Sequence, residues 1–146
     1  MNTGPAGKLY TPELLALATE LAHFRLTDDL PLRGEGRSRT CGSTASLGLR
    51  LTGTGLIDAV GMKISACAIG QASAAIMARG LGGKTSVELS AVQQQIARWL
   101  EHGGPLPEWP GFEAIEPAGA YSGRHGAILL PWNAALDALS KANVTG

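Results

Sequence analysis

The chain has no excess of either charge: 12 Lys and Arg stand against 12 Asp and Glu in 146 residues. With no net field to hold a polyanion, nucleic acid is not expected as a partner. The chain also lacks any run near the roughly 20 apolar residues that a bilayer-crossing helix needs, so no membrane span is expected. The apolar stretch Leu14 to Leu21 is broken by Thr19 and Glu20 and has no basic leader. It reads as an amphipathic helix and not as a secretion signal. Cysteine is scarce, with Cys41 and Cys67 the two present. The expected compartment is the cytoplasm, where paired thiols point more to metal or redox chemistry than to a structural disulfide. What the chain does have is apolar bulk, 45% hydrophobic against 16% charged residues. Disordered chains show the opposite balance. At this length about two thirds of the unfolded surface can be buried, so residues 1–146 are expected to form one domain, with Met1 to Lys8 fraying.

Thr11-Pro12-Glu13 is a helix start: a hydroxyl cap, a proline at the first helical position and an acid near the positive end of the dipole. Leu14, Leu17, Leu21 and Phe24 recur at helical spacing and predict a helix over about Pro12 to Phe24. Leu30-Pro31 ends that unit. From Leu32 to Thr40, Arg33, Arg37 and Arg39 alternate with small residues, as in a short exposed edge strand. Leu47, Leu49 and Leu51 alternate with Gly48 and Arg50, and a second run covers Leu56 to Ile64 after the Thr52-Gly53-Thr54-Gly55 turn, which makes a hairpin. A helix of small residues opens at Cys67 and is closed by Gly80, Gly82 and Gly83. Another runs from about Ser86 to Glu101 with Leu89, Val92, Ile96 and Trp99 on one face. Gly103 to Pro110 is a loop, and a last helix is expected to begin near Pro131. This order predicts an α+β fold, a three-stranded antiparallel sheet with helices packed on one face.

The chemistry gathers at the cysteines. Cys41 lies in a Thr-Cys-Gly turn ahead of the hairpin, where Arg37 and Arg39 would favour a thiolate. Cys67 opens a helix, whose N-terminal dipole favours an anion. Free cysteine is also a common small buried hydrophobe, and spacing alone leaves both readings open. His23 and His102 read as helix-end residues. Gly83-Lys84-Thr85 ends like a phosphate loop, but Ala78 stands where the first glycine is required and the segment follows a helix, not a strand. It is therefore not expected to bind nucleotide.

Thr40-Cys41-Gly42 before a hairpin, and Cys67-Ala68-Ile69-Gly70-Gln71-Ala72-Ser73-Ala74-Ala75-Ile76-Met77, resemble the first and second cysteine motifs of the IscU/NifU/SufU family of iron–sulfur cluster scaffolds. Leu130-Pro131-Trp132-Asn133-Ala134 resembles the start of that family's final helix, and His23-Phe24-Arg25 weakly resembles its His-Tyr stretch. The resemblance runs from about Leu21 to Leu139 and implies a SufE/NifU-like fold. Two positions depart from the pattern. Ser43 stands where the family carries an aspartate, and Ala127 where it carries a third cysteine. His125, two residues before Ala127, is a candidate third ligand, since imidazole replaces thiolate in some zinc and Rieske-type sites. A solvent-exposed loop histidine is the plainer reading of Gly-Arg-His-Gly.

What the resemblance implies is a carrier and not an enzyme. It would receive sulfur from a cysteine desulfurase, bind iron, hold a transient [2Fe–2S] cluster and pass it to recipient apoproteins, with Cys41 and Cys67 as ligands. Such a cluster or a zinc ion wants about four ligands, so His125, small thiols or the second subunit of a homodimer would complete the set. Two other readings remain: a zinc-dependent or persulfide-accepting activator of a desulfurase, and an interaction module without cluster chemistry.

Overall fold

The structure, a computed structural model, describes residues 9–39 and 42–144. The expectation of fraying at Met1 to Lys8 and the position of Cys41 lie outside them. In chain order the elements are α1 (Pro12–Glu20), β1 (Leu32–Arg37), β2 (Thr44–Leu51), β3 (Ile57–Ser65), α2 (Ala68–Gly80), α3 (Ser86–His102) and α4 (His125–Val144), with 3₁₀ turns at Leu21–His23, Phe112–Ala120 and Ser122–Arg124.

The Thr11 hydroxyl accepts the Leu14 N–H at 3.1 Å and so starts α1 where the cap signal predicts. The α-helix ends at Glu20, earlier than expected, and the chain tightens into the 3₁₀ turn that leads to Phe24. The strands form one antiparallel sheet in the order β1-β2-β3. Strand alternation puts Ala45, Leu47 and Leu49 on one face, with Met62 paired across from Leu47, and all four are buried.

On that face the sequence expectation of an exposed edge strand needs correction. A Cβ on Gly34 would lie 2.1 Å from the Ala134 carbonyl oxygen and 2.6 Å from the Ala138 nitrogen, and one on Gly36 would lie 3.0 Å from the Leu130 carbonyl oxygen. Helix α4 therefore rests directly on the backbone of β1. Its side chains also take up the outer edge of the strand: Asp137 accepts the Glu35 N–H at 2.9 Å, and Lys141 donates to the Arg33 carbonyl at 2.6 Å. An edge satisfied in this way offers less template for another strand.

The opposite face carries a cover that the alternation does not announce. Gly48 and Gly61 are paired across β2 and β3. A Cβ on Gly61 would be 2.2 Å from the Arg25 carbonyl oxygen, and one on Gly48 would be 2.8 Å from Leu30 Cβ. The connection after α1 lies over this glycine pair, tied by the Met62 N–H to the Phe24 carbonyl at 2.7 Å, and Leu30 is buried beneath it.

Helix α2 is buried almost all round, with Ala72, Ala74 and Ala75 fully enclosed between α1 and α4. Beyond it, Gly83 donates to the Ile57 carbonyl at 2.8 Å and Ile57 donates to the Lys84 carbonyl at 2.9 Å. Thr85 then forms a capping box with Glu88 that opens α3. The Gly-Lys-Thr segment is thus a backbone splice between β3 and α3. Gly103, at φ 66°, terminates α3.

Helix α4 begins at His125 and not near Pro131. Proline favours a helix's first position, which motivates the later start, but here it is accommodated inside the helix. It has no N–H to offer the Ala127 carbonyl. The neighbouring turn is held from outside: Ser73 Oγ donates to the Ile128 carbonyl at 2.7 Å and receives the Trp132 indole N–H at 3.1 Å. Trp132 packs edge-on against Trp109 at 5.0 Å, and Phe112 lies 5.7 Å from it.

Gly34→Ala is expected to destabilise the protein by about 3 kcal/mol, since an overpacked site against helix backbone has no side chain to move aside. Gly53→Ala, whose Cβ meets nothing within 4 Å, should change stability by less than about 0.5 kcal/mol. Urea unfolding midpoints of the two variants check both values.

Candidate functional site

Strand register decides which residues meet at the Cys67 end. Thr44 pairs with Ser65, so the turn ahead of β2 and the link from β3 to α2 leave the sheet together. The turn is closed by the Ser38 N–H on the Ser43 carbonyl at 2.8 Å and the Gly42 N–H on the Ser38 carbonyl at 2.9 Å. Gly42 holds φ at 70°, a conformation that suits glycine. Cys41 itself is outside the described residues, but its neighbours Ser38, Gly42 and Ser43 are at the Cys67 end. Ser43, which stands where the resemblance implies an aspartate, is 5% exposed.

Cys67 is the N-cap residue of α2, with extended backbone at φ −65° and ψ 170°. Its carbonyl accepts the Gln71 N–H at 3.0 Å, and the Gln71 side-chain amide donates to the Ala66 carbonyl at 3.0 Å, so Gln71 clamps the residues on either side of the helix start. The thiol is free, half-buried, and makes no capping hydrogen bond. One turn into the helix, a Cβ on Gly70 would be 3.3 Å from both the Cβ and the carbonyl oxygen of Ala127. Ala127, where the resemblance implies a third cysteine, therefore packs against the first turn of α2. It is also fully buried within α4, where the sequence suggests a loop near the surface.

His125 is the first residue of α4, not a loop residue. It is half-buried, with Nε2 2.8 Å from the Gly119 carbonyl. A carbonyl can only accept, so Nε2 carries a proton in this contact. Among the described residues no group of three His, Cys, Asp or Glu side chains is assembled in a way that could hold a metal ion. His23 ends the 3₁₀ turn and His102 ends α3, as their sequence positions suggest. The Thr27 hydroxyl donates to exposed Asp29 and holds its pKa below the usual carboxylate value; Asp29 sits on the strap across the outer sheet face and not at the Cys67 end.

One pairing at this end has no counterpart in the sequence reading. Arg124 Nη2 donates to the Tyr10 hydroxyl at 3.2 Å, joining residues 114 positions apart. No local pattern signals such a contact.

No protein-family model and no curated protein sequence matches the chain. Solved structures do. The N-terminal part of a nitrogen-fixing NifU-like protein from Brucella abortus is 28% identical, with a TM-score of 0.87, over 98% of this chain and 100% of that one. A protein from the thermophilic Fervidobacterium islandicum AW-1, described as an iron–sulfur cluster assembly scaffold for the SUF system, is 22% identical with a TM-score of 0.75, over 90% of this chain and 97% of that one. A hypothetical protein shares the fold at 20% identity and a TM-score of 0.63, over 87% of this chain and 96% of that one. The class is thus the NifU-like α+β fold, a three-stranded antiparallel sheet with helices packed against it. Within that class the chain is similar to a NifU-like N-terminal domain over nearly its whole length.

The two positions Cys67 and Ala127 should separate cleanly in a labelling experiment. Alkylation without denaturant is expected to modify half-buried Cys67, whereas a thiol introduced by Ala127→Cys, at a position with 0% exposure, reacts only after unfolding. Peptide mass mapping of the native and denatured protein distinguishes them.

Proposed function

We propose that this chain acts in iron–sulfur cluster assembly as a scaffold-like carrier, with Cys67 as the thiol that receives sulfur from a cysteine desulfurase. The observation that carries this reading is the free Cys67 thiol at the start of α2, where the 38–43 turn, the β3 exit and the first turn of α4 converge. The likeness to the Brucella NifU-like structure over nearly the whole chain supports it, as does the scaffold description of the Fervidobacterium protein. In the transfer step the Cys67 thiolate attacks the outer sulfur of the desulfurase persulfide. A new S–S bond forms at Cys67, the old one breaks, and the desulfurase cysteine leaves as its thiolate. The reaction is isoelectronic exchange and needs no outside oxidant.

The cluster is cargo in this scheme, and the described residues alone do not fit it: they offer one thiol and no assembled ligand group. A [2Fe–2S] unit on this protein would draw on Cys67, on Cys41, and on donors from a second subunit or from small thiols, with recipient apoproteins taking it on. The protein's role is then to carry, not to catalyse, and the cytoplasm remains the compartment in which this chemistry is proposed. Among the described residues no helix is long and apolar enough to cross a membrane.

A second reading, persulfide acceptance without cluster building, is favoured by the one free thiol among the described residues. One experiment tells the two apart. Mixed with a cysteine desulfurase, its pyridoxal phosphate and cysteine, the protein should gain one sulfur atom at Cys67, and Cys67→Ala should abolish that gain. Iron added under anaerobic conditions should then give cluster absorbance in the wild type. Sulfur gain without absorbance would select the acceptor role, and no sulfur gain at Cys67 would overturn both.

A further inference from the structure

We propose that the cleft formed by Tyr10, Tyr121 and Arg124 is a binding site for a small organic carboxylate. The cleft has a volume of about 560 Å³ and is lined also by Leu9, Ser122 and Gly123. It lies where the chain enters α1 and α4. Those helices flank α2 in the same sense, as the Gly70–Ala127 contact at its start and the Glu20–Arg79 pair at its end show. The cleft therefore opens at the Cys67 end of the molecule.

Arg124 supplies the charge. It is only partly exposed, and among the described residues no carboxylate lies within ion-pair distance of it. Its Nη2 donates to the Tyr10 hydroxyl, while its Nε–H is enclosed with no acceptor. A guanidinium held in place by a tyrosine and lacking a counter-ion has the character of an anion receptor, since charge-assisted bonds from arginine to carboxylate are among the strong ones.

The lining also selects among anions. Among the described residues that line the cleft Arg124 is the one cation, and it balances one negative charge. A carboxylate fits that balance better than a phosphate dianion, which needs a second positive group. Tyr10 and Tyr121 contribute hydroxyls, and their rings with Leu9 offer apolar surface to the rest of the ligand. The favoured ligand is thus a small carboxylic acid with an apolar or aromatic body. This site is independent of the Cys67 chemistry proposed above and stands whether or not a cluster is carried.

Titration of the full chain with sodium benzoate, followed by amide and arginine side-chain NMR, tests the site. Saturable shifts are expected at Tyr10, Tyr121, Ser122, Gly123 and the Arg124 Nε–H. Arg124→Gln should weaken binding about tenfold or more, the size of one charge-assisted hydrogen bond. Tyr10→Phe should weaken it less. If Arg124→Gln does not fold, Arg124→Lys keeps the charge but loses the planar fork, and a loss of several-fold is expected from it. Inorganic phosphate should bind more weakly than benzoate. Absence of saturable shifts, shifts located elsewhere, or unchanged affinity in the folded Arg124 variant would overturn the proposal. Tighter binding of phosphate than of benzoate would overturn the carboxylate assignment.

Discussion

The close approach of α4 to its neighbours is the constraint on which the rest of the molecule depends. It is made by what is missing: no side chain at Gly34, Gly36 or Gly70, and a methyl group at Ala127, Ala134 and Ala138. Backbone meets backbone, and dispersion contacts across such an interface are dense because no long side chains separate the two surfaces. One helix thereby covers the edge strand, supplies Asp137 and Lys141 to its free backbone groups, and brings its own first turn against the start of α2. The Ser73–Trp132–Ile128 bonds fix its rotation, so the register of α4 against α2 is polar and specific as well as steric.

That packing also shapes the chemistry of the Cys67 end. The position at which relatives by resemblance carry a third thiolate is here an alanine sealed between two helices. The imidazole that sequence reasoning offers in its place is tied to the Gly119 carbonyl through Nε2. Under the proposed function, reactivity at this end rests on Cys67 and on whatever groups a second molecule brings. The thiol itself is half-buried at a helix start whose backbone Gln71 clamps.

Much of the fold was legible because it is written in local terms. The Thr11-Pro12 start and the Thr52–Gly55 turn satisfy their own backbone within a few residues, and the alternation of the β2 leucines repeats over a short span, so these cues survive without context. The start of α4 was not legible. Pro131 is a strong local signal for a helix beginning, and it was overridden because Ser73 and Trp132 hold the turn that proline weakens. The cover over Gly48 and Gly61 was equally hidden, since a glycine facing a distant strap looks in sequence like any gap in an alternation.

By itself the sequence determined the order and type of the elements, the antiparallel sheet, and the placing of Cys67 at a helix start, all of which follow from periodicity and capping over short spans. The family likeness, too, was carried by the cysteine motifs. Only the tertiary structure decided that Ala127 and Ser43 are buried, that β1 is covered, and that Arg124 meets Tyr10 across most of the chain. The physical reason is the range of the forces involved: hydrogen bonds within a turn are fixed by neighbours in sequence, whereas exclusion of a Cβ or pairing of a guanidinium depends on which distant backbone arrives there.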